Sequence, residues 1–142
     1  MSDDCLEDRA ARAFAQSRVC RSLIQAEVLH RLPPRKRLGP ERVVRAIDAR
    51  AILDERTAQD LEHLLEILSS EIEAGTQRAE VWSDDPCDVS DPPRTWIETH
   101  RTADAEALEI ARVELESLRR AVLAVLDVLH AARAVERAGR AL

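Results

Sequence analysis

Aromatic residues are almost absent: one Phe (Phe14), two Trp (Trp82 and Trp96) and no Tyr in 142 residues. A core built without rings must be Leu, Val, Ile and Ala, which pack helix against helix and lack the large burial that aromatics supply. Glycine and proline are few and clustered, which leaves three long uninterrupted segments. Asn is missing, and Lys36 stands alone beside twenty arginines. Lys, Asn and Tyr share A/T-rich codons, so the scarcity reports a GC-rich genome. Three cysteines (Cys5, Cys20, Cys87) with no C-x-x-C exclude a disulfide framework and point to a reducing, intracellular compartment. The longest apolar run is Ala121 to Leu126, far short of a membrane span. Met1 to Glu7 is acidic and polar, with no signal-peptide core. There is no G-x-S-x-G, no Gly-rich phosphate loop and no H-E-x-x-H, so the common hydrolase, nucleotide and zinc-protease motifs are excluded.

What is present is heptad periodicity. Val44, Ile47, Ala51, Asp54, Ala58, Leu61, Leu65, Leu68 and Ile72 alternate in steps of three and four. Leu108, Ala111, Leu115, Leu118, Val122, Val125, Leu129 and Ala132 do the same. That period keeps one stripe facing a neighbouring helix for many turns. The fold expected is all-α: an antiparallel three-helix bundle or coiled coil, one domain over residues 1–142. Helix one would cover about 4–32, opened by an Asp4/Glu7 capping box and stopped by Pro33-Pro34. Helix two would cover about 40–74, with Gly75 as its C-terminal residue. An irregular, acidic, Pro-rich loop would fill 75–94. Helix three would cover about 95–138, starting at the Thr95-Trp-Ile-Glu98 capping box or later at Thr102.

Helix three is apolar on nearly every face between Ala121 and Leu129, Asp127 excepted. A helix apolar all round needs more than one neighbour. Val122, Val125, Leu126 and Leu129 are therefore the expected contact with a second chain, as a homo-oligomer or a hetero-complex. Trp82 and Trp96 bracket the acidic loop, either pinning its ends to the bundle or anchoring a partner. Asp54 interrupts an apolar seam, a position at which a charge is either paired by an Arg of another helix or fixes register and partner choice. On that reading Asp54→Leu raises the melting temperature.

Charge is unevenly placed. Residues 33–50 carry a net +4 and residues 51–93 a net −10, within a total of −6. An acidic chain is a poor nucleic-acid binder. Pro33-Pro-Arg-Lys-Arg-Leu38 forms a local basic patch, with Arg35, Lys36 and Arg37 as a nuclear-import or steering element, or as a turn answering the downstream acids. Glu27/His30, Asp60/His63 and Asp127/His130 repeat the acid-x-x-His spacing of di-iron bundles, but Asp60, His63, Asp127 and His130 fall off the heptad seams, and Glu27/His30 lies in the last turn before Pro33. No metal, cofactor or catalytic residue is assigned on these grounds, and no enzymatic activity is expected.

Val28-Leu-His-Arg-Leu32, the basic turn and the run Arg37 to Leu65 resemble the centre of the small conserved tegument proteins of herpesviruses, the group named after the fourteenth gene of the unique-long segment. Trp96-Ile-Glu-Thr-His-Arg101, followed by a long acidic-aliphatic helix, is similar to their second helical half. The resemblance implies a non-enzymatic minor virion component that assists assembly and intracellular trafficking of viral proteins, found in virion tegument, host cytoplasm and host nucleus. The alternatives are a bacterial or phage helical adaptor and, third, a helical-bundle metalloenzyme.

Overall fold

The computed structural model describes residues 6–87, 89, 91–92 and 94–141. The Asp4/Glu7 capping box and Cys5 fall at least partly outside them. Four α-helices are seen among the described residues: α1 (Leu6–Leu23), α2 (Leu38–Asp48), α3 (Glu55–Ala74) and α4 (Ala103–Ala141). Between α3 and α4 stand two antiparallel strands, β1 (Thr76–Trp82) and β2 (Thr95–Arg101). The all-α three-helix expectation is thus corrected twice, by a β-ribbon and by a break in the second helix.

The spine is α4, about 58 Å long at 1.5 Å per residue. Its seam is buried at Leu108, Ala111, Leu115, Leu118, Val122 and Val125. It packs against α1 on one side and α3 on the other. Both neighbours run antiparallel to it. Gln16 of α1 donates to the Glu114 carboxylate at 2.5 Å while Arg31 reaches Asp104 at 2.9 Å. On the α3 side, Arg119 meets Glu62 at 3.6 Å and His130 meets Glu55 at 2.7 Å. The first helical segment stays helical to Arg31 by changing its winding, with a π turn at Ile24–Val28 and a 3₁₀ turn at Leu29–Arg31. The wider turn holds Ile24 and Val28, four residues apart, on one side, and both are fully buried.

The second expected helix breaks at residues 49–54 for a local reason. Arg50 has a φ of 55°. The N–H of Arg50 donates to the Ile47 carbonyl and that of Ala51 to the Ala46 carbonyl, the bond pair of a Schellman ending. Glycine usually holds that left-handed position, and an arginine there gives no compositional signal. Ile52, fully buried, and Thr57, whose hydroxyl donates to the Ala51 carbonyl at 3.1 Å, lock the elbow. Asp54 is then the N-cap of α3, with its carboxylate accepting the Arg56 N–H at 3.2 Å. Ala51 and Asp54 are exposed, so the expected seam does not run through them.

At the other end of α3, Gly75 faces the start of α4 so closely that an added Cβ would lie 2.8 Å from Ala105 Cβ and 2.8 Å from Thr102 Oγ1. Thr102, not Thr95, caps α4: its hydroxyl accepts the Ala105 N–H at 3.1 Å. Thr95 to Glu98 are strand residues, and the later of the two expected starts is the one seen.

Candidate interaction surfaces

The ribbon continues α3 and α4 beyond the helical body. Seven residue pairs run from Thr76↔Arg101 at the root to Trp82↔Thr95 near the tip. Thr102 N–H donates to the Gly75 carbonyl at 3.0 Å, and Ser83 N–H to the Arg94 carbonyl at 2.8 Å. These two bonds fix the phase of the ladder, because bonded and non-bonded pairs alternate. Gln77, Ala79 and Val81 bond inward to β2. Thr76, Arg78, Glu80 and Trp82 turn their N–H and C=O groups to the outer edge.

Opposed residues share a face. One face carries Trp82/Thr95, Glu80/Ile97 and Arg78/Thr99; the other carries Val81/Trp96, Ala79/Glu98 and Gln77/His100. Neither face is covered. Trp82 is 57% exposed, Ile97 62% and Trp96 44%. Glu98 accepts from Trp96 Nε1 at 3.2 Å and lies 3.2 Å from His100 Nε2, which holds the Trp96 ring along its strand. Arg78 makes two bonds to Glu73 at the end of α3, at 2.6 and 3.3 Å. The guanidinium holds the Glu73 carboxyl below the usual carboxylate range, first by hydrogen bonding and then by charge. The tip segment beyond Trp82 presents Asp84, Asp85 and Asp91, all exposed.

The tryptophans therefore sit on opposite faces of a projecting ribbon, not against the helices. A two-residue N-G turn announces many hairpins, but here a long acidic segment separates the strands and hides their pairing. The signal available in the sequence was the alternation in Thr95-Trp-Ile-Glu-Thr-His-Arg101, a β-branched and aromatic run that also reads as a capped helix start.

The apolar belt of the last helix lies elsewhere than expected. Val122 and Val125 are fully buried, Leu126 is 6% exposed and Leu129 is half-buried against the core. The chain itself covers Val122, Val125 and Leu126, which are core residues, and leaves only part of Leu129 in solvent. What α4 does leave open is its end. Ala131 to Arg140 are all exposed, with Val135 at 72%. Arg133, Arg137 and Arg140 lie on one stripe of that end by their spacing of four and three.

The basic turn is a 3₁₀ turn, Pro34–Lys36. Lys36 pairs with Glu71 at 2.7 Å, and Arg37 Nε donates to the Leu32 carbonyl at 2.9 Å, while Arg35 is exposed. Binding this segment as an extended peptide would break both contacts.

Among the described residues no group of three or more His, Cys, Asp or Glu could hold a metal ion. Glu27 is engaged by Arg31 at 2.6 Å and His130 by Glu55. The groove between α3 and α4, about 220 Å³, is lined by Glu55, Glu62, Arg119, Asp127 and His130, of which Arg119 reaches Glu62 at 3.6 Å and His130 lies 2.7 Å from Glu55. Burial, and next the Glu114 charge, push the Cys20 thiol up to about 12, so it is no nucleophile at neutral pH. No helix among the described residues is long and apolar enough to cross a membrane. Comparison of the chain with family models, curated proteins and solved structures returns no match.

Proposed function

We propose that this chain is a non-enzymatic helical interaction protein that presents its β-ribbon as an arm to a protein partner. The exposed ribbon carries the reading. The helical body buries its own aliphatic stripes, including the belt of α4, whereas Trp82, Trp96 and Ile97 stand in solvent on an arm with two bare strand edges. Isolated two-stranded ribbons are marginal in water and gain from a third strand or a covering surface. Aromatic residues rank among the commonest interface anchors, and strand addition is a standard mode of peptide recognition. The resemblance of residues 28–65 and 96–101 to herpesvirus tegument proteins would give such an arm a setting, in virion assembly and transport of viral proteins through host cytoplasm and nucleus.

Proximity labelling in the producing cell tests the reading. The expected result is a specific set of labelled proteins that is lost from the Trp82→Ala/Trp96→Ala double variant while its helical circular dichroism stays unchanged. An identical set for both proteins would sink the ribbon as the contact. Iron or manganese retained stoichiometrically by the purified protein would overturn the non-enzymatic part.

A further inference from the structure

We propose that the outer edge of β1 pairs with the outer edge of β1 of a second copy of this chain, antiparallel, with Ala79 against Ala79 and Arg78 against Glu80. This rests on the ribbon being the interaction arm, and it names one occupant for one edge of it.

The register follows from the ladder. Edge-bonding residues must meet edge-bonding residues, and on β1 these are Thr76, Arg78, Glu80 and Trp82. A two-fold axis can then pass through Arg78, Ala79 or Glu80. Centred on Arg78 it opposes two guanidiniums; centred on Glu80 it opposes two carboxylates. Centred on Ala79 it opposes Arg78 to Glu80 twice, pairs the whole strand from Thr76 to Trp82, and places only a methyl group at the crossing point. The register of greatest overlap is thus also the one with complementary charge. On β2 the reverse holds, because the central residue is Glu98 and the full-length register sets Glu98 against Glu98. Opposite charges in directly opposed pairs stabilise a sheet and like charges destabilise it.

The side chains at this edge are available. Gln77, Arg78, Ala79 and Glu80 are all exposed. Arg78 has five N–H donors, and its bonds to Glu73 leave others for a second carboxylate. Trp82 would lie opposite Thr76 of the second copy and diagonal to its Arg78, within reach of a cation–π contact. Pairing makes a four-stranded sheet in the order β2–β1–β1–β2, which ends the isolation of the ribbon. The two helical bodies lie at opposite ends of that sheet, about 24 Å apart along strands of seven residues, and so do not compete for space. The acidic tip of each copy, Asp84, Asp85 and Asp91, is carried to the α3 end of the other, the end at which Lys36 is held against Glu71.

Light scattering on full-length protein separated by size, over a wide concentration range, reads the association. Wild type is expected to form a dimer. Arg78→Glu and Glu80→Arg each place two like-charge pairs in the interface and are expected to weaken it by about tenfold or more. The double variant Arg78→Glu/Glu80→Arg recreates two opposite-charge pairs and is expected to restore the dimer. Glu80→Pro removes an outward N–H without touching the ribbon's own bonds and is expected to abolish it, while Thr99→Pro, the same change on the β2 edge, leaves it intact. A monomeric wild type, a dimer indifferent to both single charge swaps, or a double variant that is folded but still monomeric overturns the proposal. A monomeric wild type that keeps its Trp82- and Trp96-dependent labelling overturns the self-pairing alone, whereas a rescued dimer with unchanged labelling overturns only the heterologous partner.

Discussion

Asp54 accepts the backbone N–H of Arg56 and starts α3, so its charge is satisfied at a helix terminus, where an anion also meets the positive end of the dipole. Removing an N-cap costs about 1 kcal/mol. Asp54→Ala and Asp54→Leu are both expected to lower the melting temperature by about 4 °C in a thermal scan, the opposite sign from a seam charge. Arg50, four residues earlier, holds a left-handed conformation that costs a non-glycine residue about 1 kcal/mol. Arg50→Gly relieves it, partly offset by unfolded-state entropy, and should raise the melting temperature by about 2 °C. Cys20 gives a pH signature. Its folded thiol titrates near 12 against a reference of 9.0, so the unfolded chain loses this proton first as pH rises. The neutral thiol's contribution is complete below pH 9 and is lost between pH 9 and about 12. Denaturant titrations should show a steeper alkaline fall in stability for wild type than for Cys20→Ala.

The root of the ribbon is tightly packed at Gly75. Gly75 leaves no room for a Cβ against Thr102 and Ala105, which are the cap and third residue of α4. Gly75→Ala forces the end of α3 and the start of α4 apart, an overpacking cost of about 1–3 kcal/mol. A fall in melting temperature of several degrees is expected, together with weakened protection of the Thr102 amide in hydrogen exchange. An unchanged scan would mean that the ribbon root yields freely. The ribbon itself adds little to the body, since its side chains are mostly exposed on both faces. Trp82→Ala/Trp96→Ala should leave the helical unfolding transition within about 2 °C of wild type, because substitutions at exposed sites rarely exceed half a kilocalorie per mole.

Across the whole molecule α4 is the organising element. It is the common neighbour of α1 and α3, and its apolar circumference between residues 121 and 129 is what two flanking helices require. Beyond His130 it leaves the body, and every described side chain there is exposed. Truncation after His130 keeps Leu129 and the Glu55–His130 pair and should move the melting temperature by no more than about 2 °C, as read by circular dichroism. A larger fall would show that the projecting end is packed in solution, by another copy or another protein.

By itself the sequence determined that long helices would lie side by side on aliphatic stripes. The α4 seam from Leu108 to Val125 is buried at each of its six positions, and Pro33-Pro34 ends the first helical segment. Period and composition suffice for that, since a 3.5-residue stripe has no alternative use. The elbow at 49–54 needed tertiary structure, because Arg50 takes a glycine conformation only where Ile52 and Thr57 pin the chain. The strands needed it too, because neither Thr76–Trp82 nor Thr95–Arg101 is a strand without the other, and their pairing spans the long acidic segment between them. Whether an apolar belt is surface or core was likewise a tertiary question. The sequence counted its faces, and only the packing of α1 and α3 showed that the chain buries Val122, Val125 and Leu126 itself, leaving the ribbon as the exposed arm.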